Sequence, residues 1–504
     1  MREGKRVIVN IVAQYAKAII NTLLSLYTVR IVLKILGQSD YGIMSLVGGI
    51  ILLLGFITNA TAITTQRHLS YDYGKKDLTV VRRTFSNSIM MHIGIGLATL
   101  LVLLAIEPVI VSPELLNIAN GRWEATHIIY KIVALILFIT FLTSPFKALL
   151  TARENIVFVA FIETLDGFLK LAIVLILPYL SVDKLVAYGF MLLAIMLFEF
   201  SVFTIYDTAK YQECSPKSFF KDTDKELLKR LFGFAGWTTY GTGTIIVRNQ
   251  GLAWLLNHFY GTVVNAAYGI ANQMFSAIQF ISASVMNAIN PQIMKAEGRG
   301  ERNNMWTLAE LESKSVICLM VILFIPLISE IDSLLTLWLG TVPPYTSMFC
   351  ISLLVAFLID QTTSGLNTAN QAIGSIRNYS LLMYTPKLLI LPIALLLLHL
   401  GYGALSVMIL FVATEALVAM LRLPYMRNTA GLDVRHYIYV VFGRNSLLVL
   451  FMTLVSFSLK FTSTSVYRFL FSIPLAYMAG AVFAWFVVLT GKERSKILSS
   501  IKSK

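Results

Sequence analysis

Charge is the scarcest commodity in this chain: Asp, Glu, Lys and Arg make up 13% of its 504 residues, against about 25% in a soluble protein. That deficit excludes an ordinary water-soluble domain. Cysteine is nearly absent, with Cys214, Cys318 and Cys350 scattered and unpaired in spacing, so neither a disulfide framework nor a zinc site is indicated. Histidine is rare as well; the six residues at 68, 92, 127, 258, 399 and 436 form no His-x-x-x-His or His-Glu pair, and no metal or other cofactor is expected. A Gly-x-x-x-x-Gly-Lys phosphate loop is missing, which removes the usual nucleotide-driven engine from this polypeptide. Long polar joints are also missing, the longest being roughly 20 residues, too short to house a folded catalytic domain outside the apolar segments.

What the chain has in abundance is apolar residues, 57% of the total, with a mean hydropathy of +0.74. Spans near 7–33, 43–66, 86–111, 127–147, 156–178, 185–209, 231–256, 264–294, 306–328, 346–370, 379–398, 404–423, 446–461 and 466–489 approach or exceed the roughly 20 residues that cross a bilayer as helix. The expected fold is therefore all-α and integral to the membrane, with about fourteen crossings. The opening Met-Arg-Glu-Gly-Lys-Arg imitates a signal peptide, but no small-x-small cleavage pattern follows and the apolar run is too long, so it reads as a retained first span. Net charge is +14. Lys and Arg gather at the N-terminus, in 67–83, 210–230, 295–302 and 422–444, and at the C-terminus, all on one side of a fourteen-span layout, so both termini are expected in the cytoplasm. This distribution accounts for the basic surplus without nucleic acid.

The chain also repeats itself. Tyr41-Gly42-Ile43 recurs as Tyr268-Gly269-Ile270, and a basic loop follows each copy, Gly74-Lys75-Lys76-Asp77 and Gly298-Arg299-Gly300-Glu301. Copies six spans apart keep one orientation, which implies a six-helix bundle over 1–209, a basic linker at 210–230, a second bundle over 231–423 and two additional helices with a basic tail over 424–504. Substrate is then expected between the two bundles.

Ionisable and amide side chains inside apolar spans are costly and thus mark candidate sites. In the first span Asn10, Gln14, Lys17, Asn21 and Thr28 lie on one helical stripe, with Arg30 near its end. In the fifth, Glu163, Asp166 and Lys170 share a face and suggest either ion coupling or a salt-bridge network that pins helices. Arg248 in the seventh span needs a carboxylate such as Asp360 or Glu163, or a cavity that takes an anion. Asp360 and Asn367 in the tenth span, Asn272 and Gln279 in the eighth, and Lys387 beside Pro386 in the eleventh complete the set, and Glu415 is a candidate partner for Lys387 or Lys17. The candidate lumen is thus cationic, with Lys17, Arg248 and Lys387 inside and Arg30 at its rim, lined by Gln14, Asn21, Asn272, Gln279 and Asn367. Such a field suits a phosphate or diphosphate, and the amide stripes suit sugar hydroxyls.

The segment Arg30 to Leu36 followed by Gly37-Gln38-Ser39-Asp40-Tyr41-Gly42-Ile43, the Gln66-Arg67 pair before a Gly74-containing basic loop, and the six-plus-six repeat resemble the polysaccharide transporter, or O-antigen-type flippase, branch of the multidrug/oligosaccharidyl-lipid/polysaccharide (MOP) exporter superfamily. The resemblance covers essentially the whole chain. It implies a V-shaped pair of bundles in a bacterial cytoplasmic membrane that moves a polyprenyl-diphosphate-linked oligosaccharide outward by alternating access, with Lys17, Arg248 and, less directly, Arg30 as cationic cavity residues. Membrane lipids and a coupling ion, H+ or Na+, are the remaining expected partners, with Glu163, Asp166, Lys170 and Asp360 as candidates for the ion. Two other readings stay open: a cation-coupled multidrug exporter, for which Asp360 would be the acidic determinant, and a flippase for the peptidoglycan lipid precursor. A membrane glycan polymerase would need a larger outer loop than this layout offers.

Overall fold

The computed structural model describes residues 3–52, 54–112, 118, 121–215, 222–461, 466–491 and 493–495. Among them the chain is almost wholly helical and no strand occurs. The helices are α1 (Glu3–Leu52), α2 (Gly55–Gly74), α3 (Leu78–Ile110), α4 (Trp123–Ala152), α5 (Ile156–Ile176), α6 (Lys184–Lys210), α7 (Lys225–Gly298), α8 (Arg302–Ser329), α9 (Ile331–Leu339), α10 (Thr346–Gln361), α11 (Ser364–Ile373), α12 (Ile376–His399), α13 (Ala404–Ala430), α14 (Val434–Ile438), α15 (Arg444–Lys460) and α16 (Phe469–Phe483).

Local chemistry sets the joints. Asp77 opens α3 by accepting hydrogen bonds from the Thr79 and Val80 amides, and Asp183 opens α6 through the Val186 amide. The 50-residue α1 is two helices joined at Gly37, which adopts φ 77°, ψ 173°. The 74-residue α7 is likewise two helices joined at Gly261, with φ 75°, ψ −174°. Only glycine takes up this backbone readily.

These joints belong to a wider pattern. Gly37 and Gly261, Lys76 and Gly300, and Gly121 and Tyr345 all have positive φ and are each 224 positions apart. The left-handed residues thus recur in step, a backbone counterpart of the Tyr-Gly-Ile repeat.

Nine helices among the described residues are long and apolar enough to cross a membrane, or ten when α10 and α11, bent by 47° across a short break, count as one span. The apolar segments read from the sequence fall mainly on helical backbone where described, with the 346–370 segment broken by a turn at Thr362 and Thr363. α5 falls outside the nine although it is strongly apolar, because Glu163, Asp166 and Lys170 put three charges within its 21 residues. Large apolar side chains such as Leu101, Phe161, Ile205, Ile409 and Met420 are exposed, which costs little against lipid tails.

The chain divides into two compact units, one of Ile8–Thr239 and the other of Tyr240–Lys504 with Met1–Val7. In the first, α4 is central and packs on α2, α3 and α6. In the second, α10 and α12 pack on α13, while α8 holds α11, α15 and α16. The closest approach is at Gly365, where an added Cβ would stand 1.9 Å from the Ala309 carbonyl oxygen, so α11 meets α8 backbone to backbone. The C-terminal helices are bound into the second unit: Arg468 donates to both carboxylate oxygens of buried Glu330 at 2.8 Å, and Lys314 bonds Glu493 at 2.8 and 2.9 Å.

Candidate functional site

Four helices of the second unit bring five charged side chains together. Arg248 of α7 places Nη1 2.6 Å from Glu415 Oε1 of α13, and Lys387 of α12 places Nζ 2.7 Å from Glu415 Oε2. Lys387 also lies 3.6 Å from Asp360 Oδ1 at the end of α10, and Arg422 of α13 bonds the same oxygen at 2.9 Å. Arg422 donates further to the Asp360 carbonyl at 3.2 Å and the Thr363 hydroxyl at 2.9 Å, both exposed by the break between α10 and α11. The Arg248 guanidinium stacks on Phe411, 4.1 Å from the ring centre.

The side chains of Arg248, Lys387, Glu415 and Arg422 are 5–6% exposed, Asp360 24%. Three cations face two carboxylates. Arg248, Lys387, Asp360 and Glu415 line a cavity of about 270 Å³ together with Asn249, Gln279, Ser282, Gln361, Phe275 and Phe411, and Arg422 holds Asp360 from outside that lining. Gln361 accepts a 2.7 Å bond from Ser282, which fixes one wall.

Arg248, Lys387, Asp360 and Gln279, selected from the sequence, thus meet in one place. Two details differ from expectation. Arg248 is bonded to Glu415 and not to Asp360 or Glu163, and Arg422, assigned from hydropathy to a basic loop, is buried in the cluster. Glu415 and Arg422 are seven residues apart on α13, two helical turns on one face, and that spacing was the available signal.

The first unit builds a separate network. Lys17 of α1 bonds Glu163 of α5 at 2.6 Å; Lys147 of α4 lies 3.2 Å from the other Glu163 oxygen and 2.5 Å from Glu199 of α6. Four helices are tied by two cations and two carboxylates, so Lys17 is a compensated cation. Lys147 and Glu199 escaped the sequence reading because one sits at a span boundary and the other has no charged residue three, four or seven positions away in its span. The expected Glu163–Asp166–Lys170 cluster splits: Lys170 and Asp166 form an i,i+4 pair at 2.7 Å and border a mostly apolar cavity of about 640 Å³, while Glu163 turns to α1 and α4. Arg30 is exposed and makes no ion pair among the described residues.

The amide stripe is mainly structural. Asn21 donates to the Glu163 carbonyl and Asn10 to the Glu154 carbonyl, each at 3.1 Å; Gln14 is buried in the same unit. Asn272 bonds the Tyr268 carbonyl one turn back at 2.9 Å, and Asn367 is half-buried outside the lining of the charged cavity. No group of three or more His, Cys, Asp or Glu side chains arranged to hold a metal occurs among the described residues.

No family model matches the sequence, and no curated protein matches it either. Solved structures do. The crystal structure of a MATE point mutant superposes with a TM-score of 0.71 at 14% identity, covering 86% of this chain and 97% of that one. The fold is that of a MATE transporter. An outward-facing multidrug resistance MATE family transporter of the MOP superfamily aligns with a TM-score of 0.71 at 14% identity, over 86% of this chain and 96% of the other. A MOP superfamily transporter from Pyrococcus furiosus, described as having a binding pocket of reverse polarity that suggests a different function, aligns with a TM-score of 0.69 at 14% identity over 86% and 96%. At these identities the likeness is one of fold, and it accords with the nine helices among the described residues that are long and apolar enough to cross a membrane.

Proposed function

We propose that the protein exports a substrate with an anionic head group by alternating access, and that this substrate is a polyprenyl-diphosphate-linked oligosaccharide, a precursor of surface polysaccharide, moved in exchange for H+ or Na+. The observation that carries the reading is the charged cluster of the second unit: Arg248 and Lys387 line a single cavity with Asp360 and Glu415, and Arg422, outside that lining, also holds Asp360, so the cluster as a whole has one cation more than carboxylates. A diphosphate entering the cavity meets Arg248 and Lys387, and can draw either away from Glu415, Arg248 offering the paired donors that guanidinium gives to phosphate oxygens. The Gln279 and Ser282 side chains on the same wall offer the donors and acceptors that sugar hydroxyls need. The reverse-polarity pocket named for the Pyrococcus neighbour gives a precedent for a MOP transporter that departs from drug export.

A second reading, a cation-coupled multidrug exporter, is favoured by the MATE neighbours themselves. It would use Asp360, which is partly open to the cavity; Arg422 and Lys387 already hold that carboxylate, which weakens its pull on an organic cation. The peptidoglycan precursor presents the same diphosphate and separates from the main reading only by the glycan identified.

The deciding experiment deletes the gene and follows lipid-linked glycans by mass spectrometry alongside sensitivity to cationic dyes, with complementation by wild type, Arg248→Gln and Asp360→Asn at matched protein levels. Accumulation of a diphosphate-linked glycan, relieved by wild type and not by Arg248→Gln, is expected. Unchanged glycan pools with dye sensitivity that depends on Asp360 would transfer the assignment to drug export.

A further inference from the structure

The break between α10 and α11 is closed by two hydroxyl groups that come from other helices of the Tyr240–Lys504 unit. Gly365, the second residue of α11, donates its amide to Ser313 Oγ of α8 at 2.9 Å. Ser313 Oγ lies 2.8 Å from the Tyr437 hydroxyl of α14, which in turn lies 2.9 Å from the Thr362 carbonyl. The two ends fix the direction of this relay. An amide only donates and a carbonyl only accepts, so the single proton of Tyr437 goes to Thr362 and Ser313 gives its own to Tyr437. Ser313 and Tyr437 are both 0% exposed, and neither hydroxyl has solvent as an alternative partner. In an unbroken helix the Gly365 amide would bond the Gln361 carbonyl four residues back. A break inside an apolar span has to be satisfied by protein, and here two side chains are spliced into the missing backbone bond.

The break carries one wall of the charged cavity. Phe357, Asp360 and Gln361 end α10 and line that cavity, and the 47° bend follows at once. Arg422 grips the near side of the break through the Asp360 carbonyl and the Thr363 hydroxyl, while Ser313 and Tyr437 grip the far side. The C-terminal segment reinforces that second grip on α8: Asn445 of α15 donates to the Lys314 carbonyl at 3.2 Å, and the Lys314 ammonium is held by Glu493.

We propose that Tyr437 is a positioning residue of the charged cavity: with Ser313 it sets the course of the chain after Gln361, and so the places of Asp360 against Lys387 and of Gln361 against Ser282. The helices beyond the repeat are then part of the frame of the site and not packing laid beside it. The consequence for export rests on the exporter reading; the positioning itself does not.

The test uses the purified full-length protein in detergent with Cys214, Cys318 and Cys350 replaced by Ala. A single cysteine is introduced at one of two cavity-lining positions of α10, as Gln361→Cys beside the break or Leu353→Cys two turns before it. The rate of labelling by methyl methanethiosulfonate, a small neutral thiol reagent, is followed by mass spectrometry with and without Tyr437→Phe, which removes only the hydroxyl. A several-fold change is expected at Gln361→Cys and none at Leu353→Cys, and Ser313→Ala should reproduce both results. Should Tyr437→Phe elute aggregated, Ser313→Ala decides. An unchanged rate at Gln361→Cys overturns the proposal. An equal change at both positions does so too, because it would make Tyr437 a general stabilising contact. Labelling needs no substrate, so a failed glycan experiment would leave this result standing, and the reverse holds as well.

Discussion

Arg248 and Glu415 stand 167 positions apart in the chain and meet at 2.6 Å with both side chains about 5% exposed. Glu415 serves two cations at once, because its second oxygen is held by Lys387. Removing it would leave two buried positive charges facing each other.

Glu415→Gln is therefore expected to destabilise the protein by about 3–5 kcal/mol, the cost of stranding a buried charge. Adding Lys387→Met should return part of that loss. A thermal-unfolding series on the two single variants and the double variant tests this; strict additivity would show that Glu415 and Lys387 do not act as a pair.

In the Ile8–Thr239 unit, Glu163 is expected to pin helices, since it joins Lys17 of α1 to Lys147 of α4. Glu163→Gln should lower stability by about 1 kcal/mol, given the partial exposure of the network, and leave the cation dependence of transport unchanged. A changed cation dependence at unchanged melting temperature would instead make Glu163 a coupling residue.

Gly365→Ala drives a methyl group to 1.9 Å from the Ala309 carbonyl oxygen and 2.9 Å from the Ser313 hydroxyl. The expected cost is about 1–3 kcal/mol from overpacking, read as a lower melting temperature.

Asp224 opens α7, accepting hydrogen bonds from the Leu227 and Glu226 amides, which together with Arg83 hold its carboxyl below the usual range. A depressed carboxyl contributes stability that is complete above its unfolded value, near 3.9, and is lost as pH falls through the lower folded value. Hydrogen exchange at the Glu226 and Leu227 amides should accelerate on acidification relative to mid-α7 amides, and Asp224→Ala should show that acceleration already at neutral pH. Equal exchange in wild type and variant would remove the cap from the account.

Helical content follows from a feature a single chain displays openly, apolar length. Partner choice does not. The spacing of Glu163, Asp166 and Lys170 correctly places all three on one face of α5, yet only Asp166 and Lys170 bond each other, because α1 and α4 bring Lys17 and Lys147 to Glu163. Arg422 was hidden for a related reason: hydropathy ends a span at its first strong charge, whereas α13 continues to Ala430 and its arginine turns inward to Asp360.

The repeat also shows how two halves with one backbone plan divide their chemistry. Shifting Lys17 by the 224 positions that separate Gly37 from Gly261 lands on Gly241. Gly241 faces Tyr384 of α12, whose ring would lie 2.6 Å from an added Cβ, where Lys17 faces Glu163 of α5. The same meeting of helices is an ion pair in one half and an aromatic ring over a bare backbone in the other.

At Gly37 and Gly261 a Cβ would find nothing within 4 Å. The demand for glycine at these two joints is therefore one of handedness and not of room: a D-alanine placed there by chemical synthesis would fit where an L-alanine of identical volume would strain the chain. Each half of the molecule turns on one residue that has no mirror image.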